Sequence, residues 1–147
     1  MSKPVINRAH YAFWHPMATR WGDHDQLGHV NNTRFYAFDE DARLAYFEGL
    51  WRDDPRFWKE YGFILGRLSC DFIAQLKHPA TLDIGFRIQR LGGSSLTTEA
   101  AMFQGERLVA VTQGVVVWFD YQAQKPMRIP DAVRAKVLAR EVVAPET

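Results

Sequence analysis

The second half of the chain contains β-like runs separated by short links, and this pattern limits the possible folds more than any other feature of the sequence. The runs are Ile64–Ile73, Thr81–Leu91, Ser95–Gln104 and Leu108–Tyr121. Branched and aromatic side chains bounded by glycine or proline are typical of strands. Links as short as those between the last three runs join neighbouring antiparallel strands. The sequence therefore predicts an antiparallel meander.

One long helix precedes these strands. Apolar residues recur at helical spacing from Thr33 to about Gly49, among them Phe35 and Phe38. An asparagine, Asn31 or Asn32, would cap this helix, and Gly49 would help to end it. The helix forms the only long amphipathic element available to cover an apolar sheet.

A first strand and a last helix complete the pattern. Residues 11–21 are rich in aromatic residues and partly alternating, with Pro16 best placed at a sheet edge or at a bulge. Pro130 and Asp131 open a short amphipathic helix near the C-terminus. We predict one α+β domain over residues 1–147, with an antiparallel sheet of about five strands wrapped around one long central helix.

Composition and charge argue against several classes of protein. The chain has 147 residues, and its 18 Lys and Arg residues nearly balance 17 Asp and Glu residues. This balance favours neither a nucleic-acid nor a membrane partner. The N-terminus lacks the apolar core of a signal peptide, and the longest apolar run, Val115–Phe119, is too short to span a bilayer. We expect a cytoplasmic protein without an internal disulfide, because Cys70 is its single cysteine.

An unusually polar loop precedes the long helix. Its sequence is RWGDHDQLGHVNN, from Arg20 to Asn32. A calcium loop is excluded because the fifth and twelfth positions from Asp23 are Leu27 and Arg34. A zinc site would draw on histidines and one carboxylate without a recognised spacing. Its candidate ligands are His24, Asp25 and His29, with His10 or His15.

Two interpretations of the loop remain. Aspartates often make turn hydrogen bonds and asparagines often cap helices, so the polar residues could serve the fold alone. One cap needs only one side chain, however, and this loop carries six polar ones. A helix N-terminus also offers free N–H groups that polarise a carbonyl, which a nearby carboxylate or an activated water can attack. The loop thus suits acyl-transfer chemistry.

The motif GDHDQLGHVNN, followed by Phe35 and by FDEDAR at Phe38–Arg43, resembles the signature of hotdog-fold acyl-CoA thioesterases of the 4-hydroxybenzoyl-CoA thioesterase type. Nearly the whole chain fits their order of elements, including the closing segment MRIPDAVRAKV. The resemblance implies a hotdog fold and hydrolysis of an acyl-CoA or acyl-pantetheine thioester to an acid and a thiol. It implies no metal and no organic cofactor.

The resemblance also implies roles for individual residues. Asp25 matches the catalytic carboxylate, which acts as nucleophile or general base. Asn32 matches the position whose backbone N–H binds the thioester carbonyl. His29 matches a motif position for which a direct catalytic part stays open. The loop residues Gly28, Val30 and Asn31 are assigned to substrate binding.

The coenzyme end departs from the pattern. Some family members carry a cluster of arginines and lysine before the third main strand, whereas this chain has RLGGSS. Arg90 is the one cation there, with Ser94, Ser95 and glycine N–H groups as further candidates for phosphate binding. The acyl carrier, coenzyme A or acyl carrier protein, stays open.

Assembly and rival functions follow from the same pattern. One helix cannot cover a five-stranded sheet, and a long strand such as Leu108–Tyr121 is a liability at an unpaired edge. We expect a homodimer or a tetramer with sheets joined edge to edge. Two rival functions stay open. The first is a non-catalytic hotdog protein that binds acyl thioesters or serves as a partner of an acyl carrier. The second is a small metal-binding protein.

Overall fold

A computed structural model describes residues 5–147 of the chain. Two single-turn 3₁₀ helices lie at Arg8–His10 and Trp21–Asp23. The remaining elements are β1 (Phe13–Ala18), α1 (Asn32–Trp51), β2 (Tyr61–Phe72), β3 (Thr81–Leu91), β4 (Ser95–Gln104), β5 (Arg107–Asp120), β6 (Lys125–Pro126) and α2 (Asp131–Arg140). Among residues 5–147, no helix is both long and apolar enough to cross a bilayer.

The strands form one antiparallel sheet in the order β1, β3, β4, β5, β2, and the two-residue β6 pairs with β5. The predicted meander of β3, β4 and β5 is confirmed. The bounds of β3 and β4 also agree with those expected from the sequence. Pro16 lies on β1, which is an edge strand as predicted.

The second edge strand of the sheet differs from the expectation. Leu108–Tyr121 was expected at an edge, and this is wrong, because β5 pairs with β4 on one side and with β2 on the other. The connection through α1 carries the chain across the sheet, so that β2 returns next to the longest strand and becomes the edge itself. Ile64 and Leu65 of β2 are 39% and 44% exposed there. The unpaired edge is therefore partly apolar.

Helix α1 lies against the concave face of the sheet. Asn31 caps it by accepting a hydrogen bond from the N–H of Thr33 at 2.9 Å. The helix passes Gly49, which the sequence predicted to help end it, and continues to Trp51. That last residue is buried and packs edge-on against Trp118 of β5. The predicted hotdog arrangement of a sheet wrapped around one long helix is confirmed.

Candidate active site

Backbone hydrogen bonds fix the polar loop before α1. The N–H of Asn31 donates to the carbonyl of Asp23 at 2.8 Å, and the N–H of Val30 donates to the carbonyl of Leu76 at 2.7 Å. Gly28 adopts a left-handed conformation with φ of 82°, which favours glycine at this turn. The loop is thereby attached both to the start of α1 and to the segment that follows β2.

Asp23 lies inside the loop. Its side chain is buried and accepts a hydrogen bond from the backbone N–H of Arg20 at 2.7 Å. Ion pairs with Arg20 and Arg34 lie at 3.5 and 3.9 Å. All of these contacts are internal to the loop and the first turn of α1.

Asp25 has the opposite environment. Its side chain is partly exposed, and its two oxygens accept hydrogen bonds from the Asn31 side-chain amide at 2.9 Å and from the Leu27 N–H at 2.8 Å. These two hydrogen bonds lower the pKa of the Asp25 carboxyl, and the nearby charges of His29 and His24 lower it further. Asp25 is therefore a carboxylate at neutral pH.

The start of α1 provides the complementary group. Thr33 and Arg34 donate their N–H groups to the side chain and the carbonyl of Asn31. The N–H of Asn32 has no acceptor among residues 5–147. As the first residue of the helix it also lies at the positive end of the helix dipole. Asn31 thus links the two groups, because it caps the helix and holds the Asp25 carboxylate.

Asp25 and Asn32 both line one cleft of about 350 Å³, which we call cleft A. Cleft A is lined by Asp25, Leu27, His29, Val30, Asn32, Phe35 and the segment 72–76. Most of its walls are apolar, and its polar groups come from the loop, from the helix start and from Gln75. A carboxylate and a free N–H beside an apolar pocket are suited to holding and attacking a carbonyl group.

The structure brings some of the predicted site residues together and separates others. Asp25, His29, Val30 and Asn32 line cleft A, and Gly28 and Asn31 belong to the same loop. Arg90, Ser94 and Ser95 do not line it. Ser95 pairs with Val117 of β5, whereas Phe72 pairs with Ala110. These two points on β5 lie about 23 Å apart at the usual rise of a strand.

The RLGGSS turn is held by its neighbours in the fold. The N–H of Gly92 donates to the carbonyl of Ser95 at 2.8 Å, so this glycine N–H is not available for a phosphate. Arg134 of α2 donates to the carbonyl of Gly92 at 2.6 Å. The side chain of Arg90 is exposed. Within one chain the turn is therefore a separate feature from cleft A.

The metal alternative gains no geometric support, and the single cysteine is not an activated thiol. Within the described part of the chain, residues 5–147, no three His, Cys, Asp or Glu side chains are grouped closely enough to hold a metal ion. Cys70 is partly buried against the core. Burial, followed by the charges of Asp71 and Asp39, raises the pKa of its thiol to about 12, so the reactive thiolate is scarce at neutral pH.

The segment that closes cleft A opposite the loop was not identified from the sequence. It runs from Phe72 to Leu76, and Phe72 is 48% exposed at its start. Its position depends on β2 pairing with β5 and on the Val30 to Leu76 hydrogen bond, which joins residues far apart in the chain. No local motif signals such a contact.

Comparison with known proteins identifies the family. The profile of the thioesterase-like superfamily matches residues 19–137. The solved structure of the PA5185 protein from Pseudomonas aeruginosa is 33% identical, with a TM-score of 0.82 over 93% of this chain and 96% of that one. A predicted thioesterase from Bacillus stearothermophilus is 27% identical, with a TM-score of 0.80 over 90% of this chain and 98% of that one.

Two further proteins are similar. A thioesterase from Thermus thermophilus, solved in complex with coenzyme A and Zn, is 28% identical, with a TM-score of 0.78 over 90% of this chain and 96% of that one. The uncharacterised protein YsmA of Bacillus subtilis is 26% identical over 98 residues, which are 67% of this chain and 63% of YsmA. The matched region thus spans less than two thirds of that curated relative. From the profile match over residues 19–137 we conclude that the chain belongs to the thioesterase-like superfamily.

Proposed function

We propose that the protein hydrolyses the thioester of an acyl-CoA or a related acyl-pantetheine to a free acid and a thiol. One observation carries the proposal: Asp25, a carboxylate at neutral pH, and Asn32, whose N–H has no acceptor among residues 5–147, line the same largely apolar cleft. Membership of the thioesterase-like superfamily supports it.

In the proposed reaction the thioester carbonyl accepts a hydrogen bond from the Asn32 N–H. Asp25 then acts in one of two ways. As a nucleophile it forms a mixed anhydride and expels the thiolate, and water hydrolyses the anhydride. As a general base it takes a proton from a water that attacks the carbonyl, and the tetrahedral intermediate expels the thiolate. In both routes the negative charge that develops on the carbonyl oxygen lies at the positive end of α1.

The other loop residues have supporting roles in this proposal. Asn31 orients the Asp25 carboxylate through its side-chain amide, and Gly28 permits the turn that brings the loop back towards α1. Val30 contributes to the apolar wall, and His29 lies at the rim, where it can contact the substrate. Neither a metal nor an organic cofactor has a part in this chemistry.

We also propose a homodimer joined through the β2 edges. Pairing two copies of β2 antiparallel about a two-fold axis would satisfy the exposed edge and cover Ile64 and Leu65. The turn from Arg90 to Ser95 lies at the Tyr61 end of β2, since Ser95 and Ile64 both pair with Val117. The two-fold axis would place this turn at the same end of the joined sheet as the partner's cleft A.

This arrangement keeps Arg90, Ser94 and Ser95 as proposed contacts for the phosphate end of the substrate, reached across the dimer. The Thermus thermophilus thioesterase complexed with coenzyme A supports coenzyme A as the carrier. The 4-hydroxybenzoyl-CoA thioesterase type and a cytoplasmic location are further proposals that rest on the sequence alone, as does the extent of the single domain, 1–147.

A thiol-release assay across short, long, branched and aromatic acyl-CoAs tests the proposed activity. We expect hydrolysis of at least one group of these thioesters by the purified protein. Binding of acyl-CoAs without release of thiol from any of them would contradict the proposal and favour the non-catalytic thioester-binding protein.

A further inference from the structure

A second cleft lies on the same edge strand as cleft A. This cleft, which we call cleft B, has a volume of about 340 Å³. Its apolar walls include Leu44 and Phe47 of α1, Phe63 and Leu65 of β2, and Trp58. Two charged side chains of α1, Glu40 and Arg43, also line it. The proposed reaction does not use cleft B within one chain.

Clefts A and B occupy opposite ends of β2. Cleft A meets the strand at Phe72, and cleft B meets it at Phe63–Leu65. Both also contact α1, so they open on the same face of the sheet. Antiparallel pairing of two β2 strands about a two-fold axis sets the C-terminal end of one beside the N-terminal half of the other. In such a dimer cleft A of each subunit adjoins cleft B of its partner.

Trp58 lines cleft B. The same residue lines a third cleft of about 220 Å³, which also contacts Trp51 and Asp54. The two clefts therefore share Trp58 as a lining residue. Its ring packs on Phe57 with a centroid distance of 4.3 Å.

The backbone conformation and the neighbours of Trp58 fix the position of its ring. Trp58 has a φ of 71°, which is rare for a bulky residue, and its N–H donates to the carbonyl of Tyr61 at 2.8 Å. A Cβ atom added at Gly62 would lie 2.9 Å from the Trp58 ring, so glycine is needed beneath it. Backbone conformations of this kind concentrate at functional sites, where the surrounding structure maintains them.

We propose that cleft B receives the acyl group of a thioester whose carbonyl lies in the partner subunit's cleft A, and that Trp58 limits the length of that acyl group. The inference rests on the proposed function. A volume of about 340 Å³ is at the small end of the range for ligand pockets, which favours a compact apolar acyl group over a long fatty chain. In this proposal, removing the Trp58 ring would join cleft B to the third cleft.

Trp58→Gly tests the length limit, because glycine suits a positive φ. We expect the variant to hydrolyse acyl-CoAs several carbons longer than the wild-type limit, with kcat/KM for them raised by about tenfold or more. Trp58→Asn serves as a second variant, since asparagine also tolerates this conformation. Trp21→Ala, which removes an 80% exposed tryptophan that lines neither cleft, is the matched control and should keep the wild-type length profile.

A mixed dimer tests which chain supplies cleft B. We would purify, with two different tags, a dimer of one Asp25→Asn chain and one Trp58→Gly chain. Its one intact Asp25 then faces the Trp58 of the other chain, so we expect the wild-type length profile at about half the wild-type activity.

Several results would overturn the inference. An unchanged length profile in folded Trp58→Gly and Trp58→Asn dimers would show that Trp58 is not the limit. A lengthened profile in the mixed dimer would place both clefts' functions in one chain, and a monomeric wild-type protein would exclude the shared site. In these three cases, wild-type hydrolysis would leave the proposed function intact. Absence of hydrolysis by the wild-type protein on every acyl-CoA would overturn both proposals.

Discussion

Two aspartates only two positions apart have different environments at the residue scale. Asp23 is buried among internal partners, whereas Asp25 is partly exposed in cleft A. Strict alternation would point both carboxylates of GDHD the same way, so the turn at 21–28 and the internal partners of Asp23 separate them. The sequence motif and the helix cap lie within ten residues, so local pattern could predict a polar cluster at the helix start, whereas the roles of Asp25 and Asn32 were predicted from the resemblance. The opposite wall, 72–76, depends on pairing with a distant strand and could not be predicted in the same way.

Asp23→Asn should act on stability. The substitution removes the charge that pairs with Arg20 and Arg34 inside the loop, and we expect it to lower the free energy of unfolding by about 1–3 kcal/mol. The value of kcat per folded molecule should change little. Urea denaturation and a thiol-release assay measure the two effects. A large loss of kcat with unchanged stability would show that Asp23 belongs to the chemistry.

The pH dependence of hydrolysis should reflect the lowered pKa of Asp25. Hydrogen bonds from Asn31 and Leu27 favour the charged carboxylate, so Asp25 stays deprotonated to a lower pH than an ordinary aspartate. Protonation of this group should therefore cause no loss of kcat/KM between about pH 8 and pH 5. A pH-rate profile is the measurement. A fall centred near the ordinary histidine pKa of about 6.5 would indicate His29 instead.

At the scale of elements, helix α1 carries a buried ion pair as well as its apolar face. Asp39 contacts Arg43 and accepts a hydrogen bond from Thr112 of β5 at 2.6 Å. Burial raises the pKa of Asp39 despite these partners. The pair links the helix to the sheet on the side of the β2 edge, between the two ends at which clefts A and B open.

Asp39→Ala should therefore destabilise the fold strongly. The substitution leaves the buried Arg43 with only the exposed Glu40 at 3.8 Å and leaves Thr112 without its acceptor. We expect a loss of about 3 kcal/mol in the free energy of unfolding. Asp41→Ala, at an exposed position on the same helix, should change it by less than about 0.5 kcal/mol. Equal effects of the two variants in urea denaturation would contradict this role for the buried pair.

The helices and strands themselves were predicted better than the order in which the strands pair. The helix and the strands from 81 to 104 follow from periodicity and from glycine and proline, which are local signals. The edge of the sheet was assigned to the wrong strand, because strand order depends on where β2 returns after α1. Local patterns carry little information about that choice. The correction moves the expected dimer contact from β5 to β2.

The whole molecule has an unpaired β2 edge beside two clefts. We predict a dimer in solution, because no element within residues 5–147 covers the backbone groups of β2 and its two partly exposed apolar residues, Ile64 and Leu65. Light scattering at micromolar concentration should give twice the chain mass, or four times for a tetramer. A monomer under these conditions would contradict the β2 contact and remove the basis for a site shared between subunits.

In the proposed reaction Asp25 either attacks a thioester held at the start of α1 or activates the water that attacks it. The turnover of Asp25→Asn tests this role most directly. Asparagine is nearly isosteric and retains hydrogen bonding, so folding and thioester binding should persist. We predict that kcat on the best acyl-CoA falls by roughly 10²- to 10⁴-fold, the range for loss of a positioned acid–base group. A folded Asp25→Asn protein with nearly wild-type kcat would contradict the assignment.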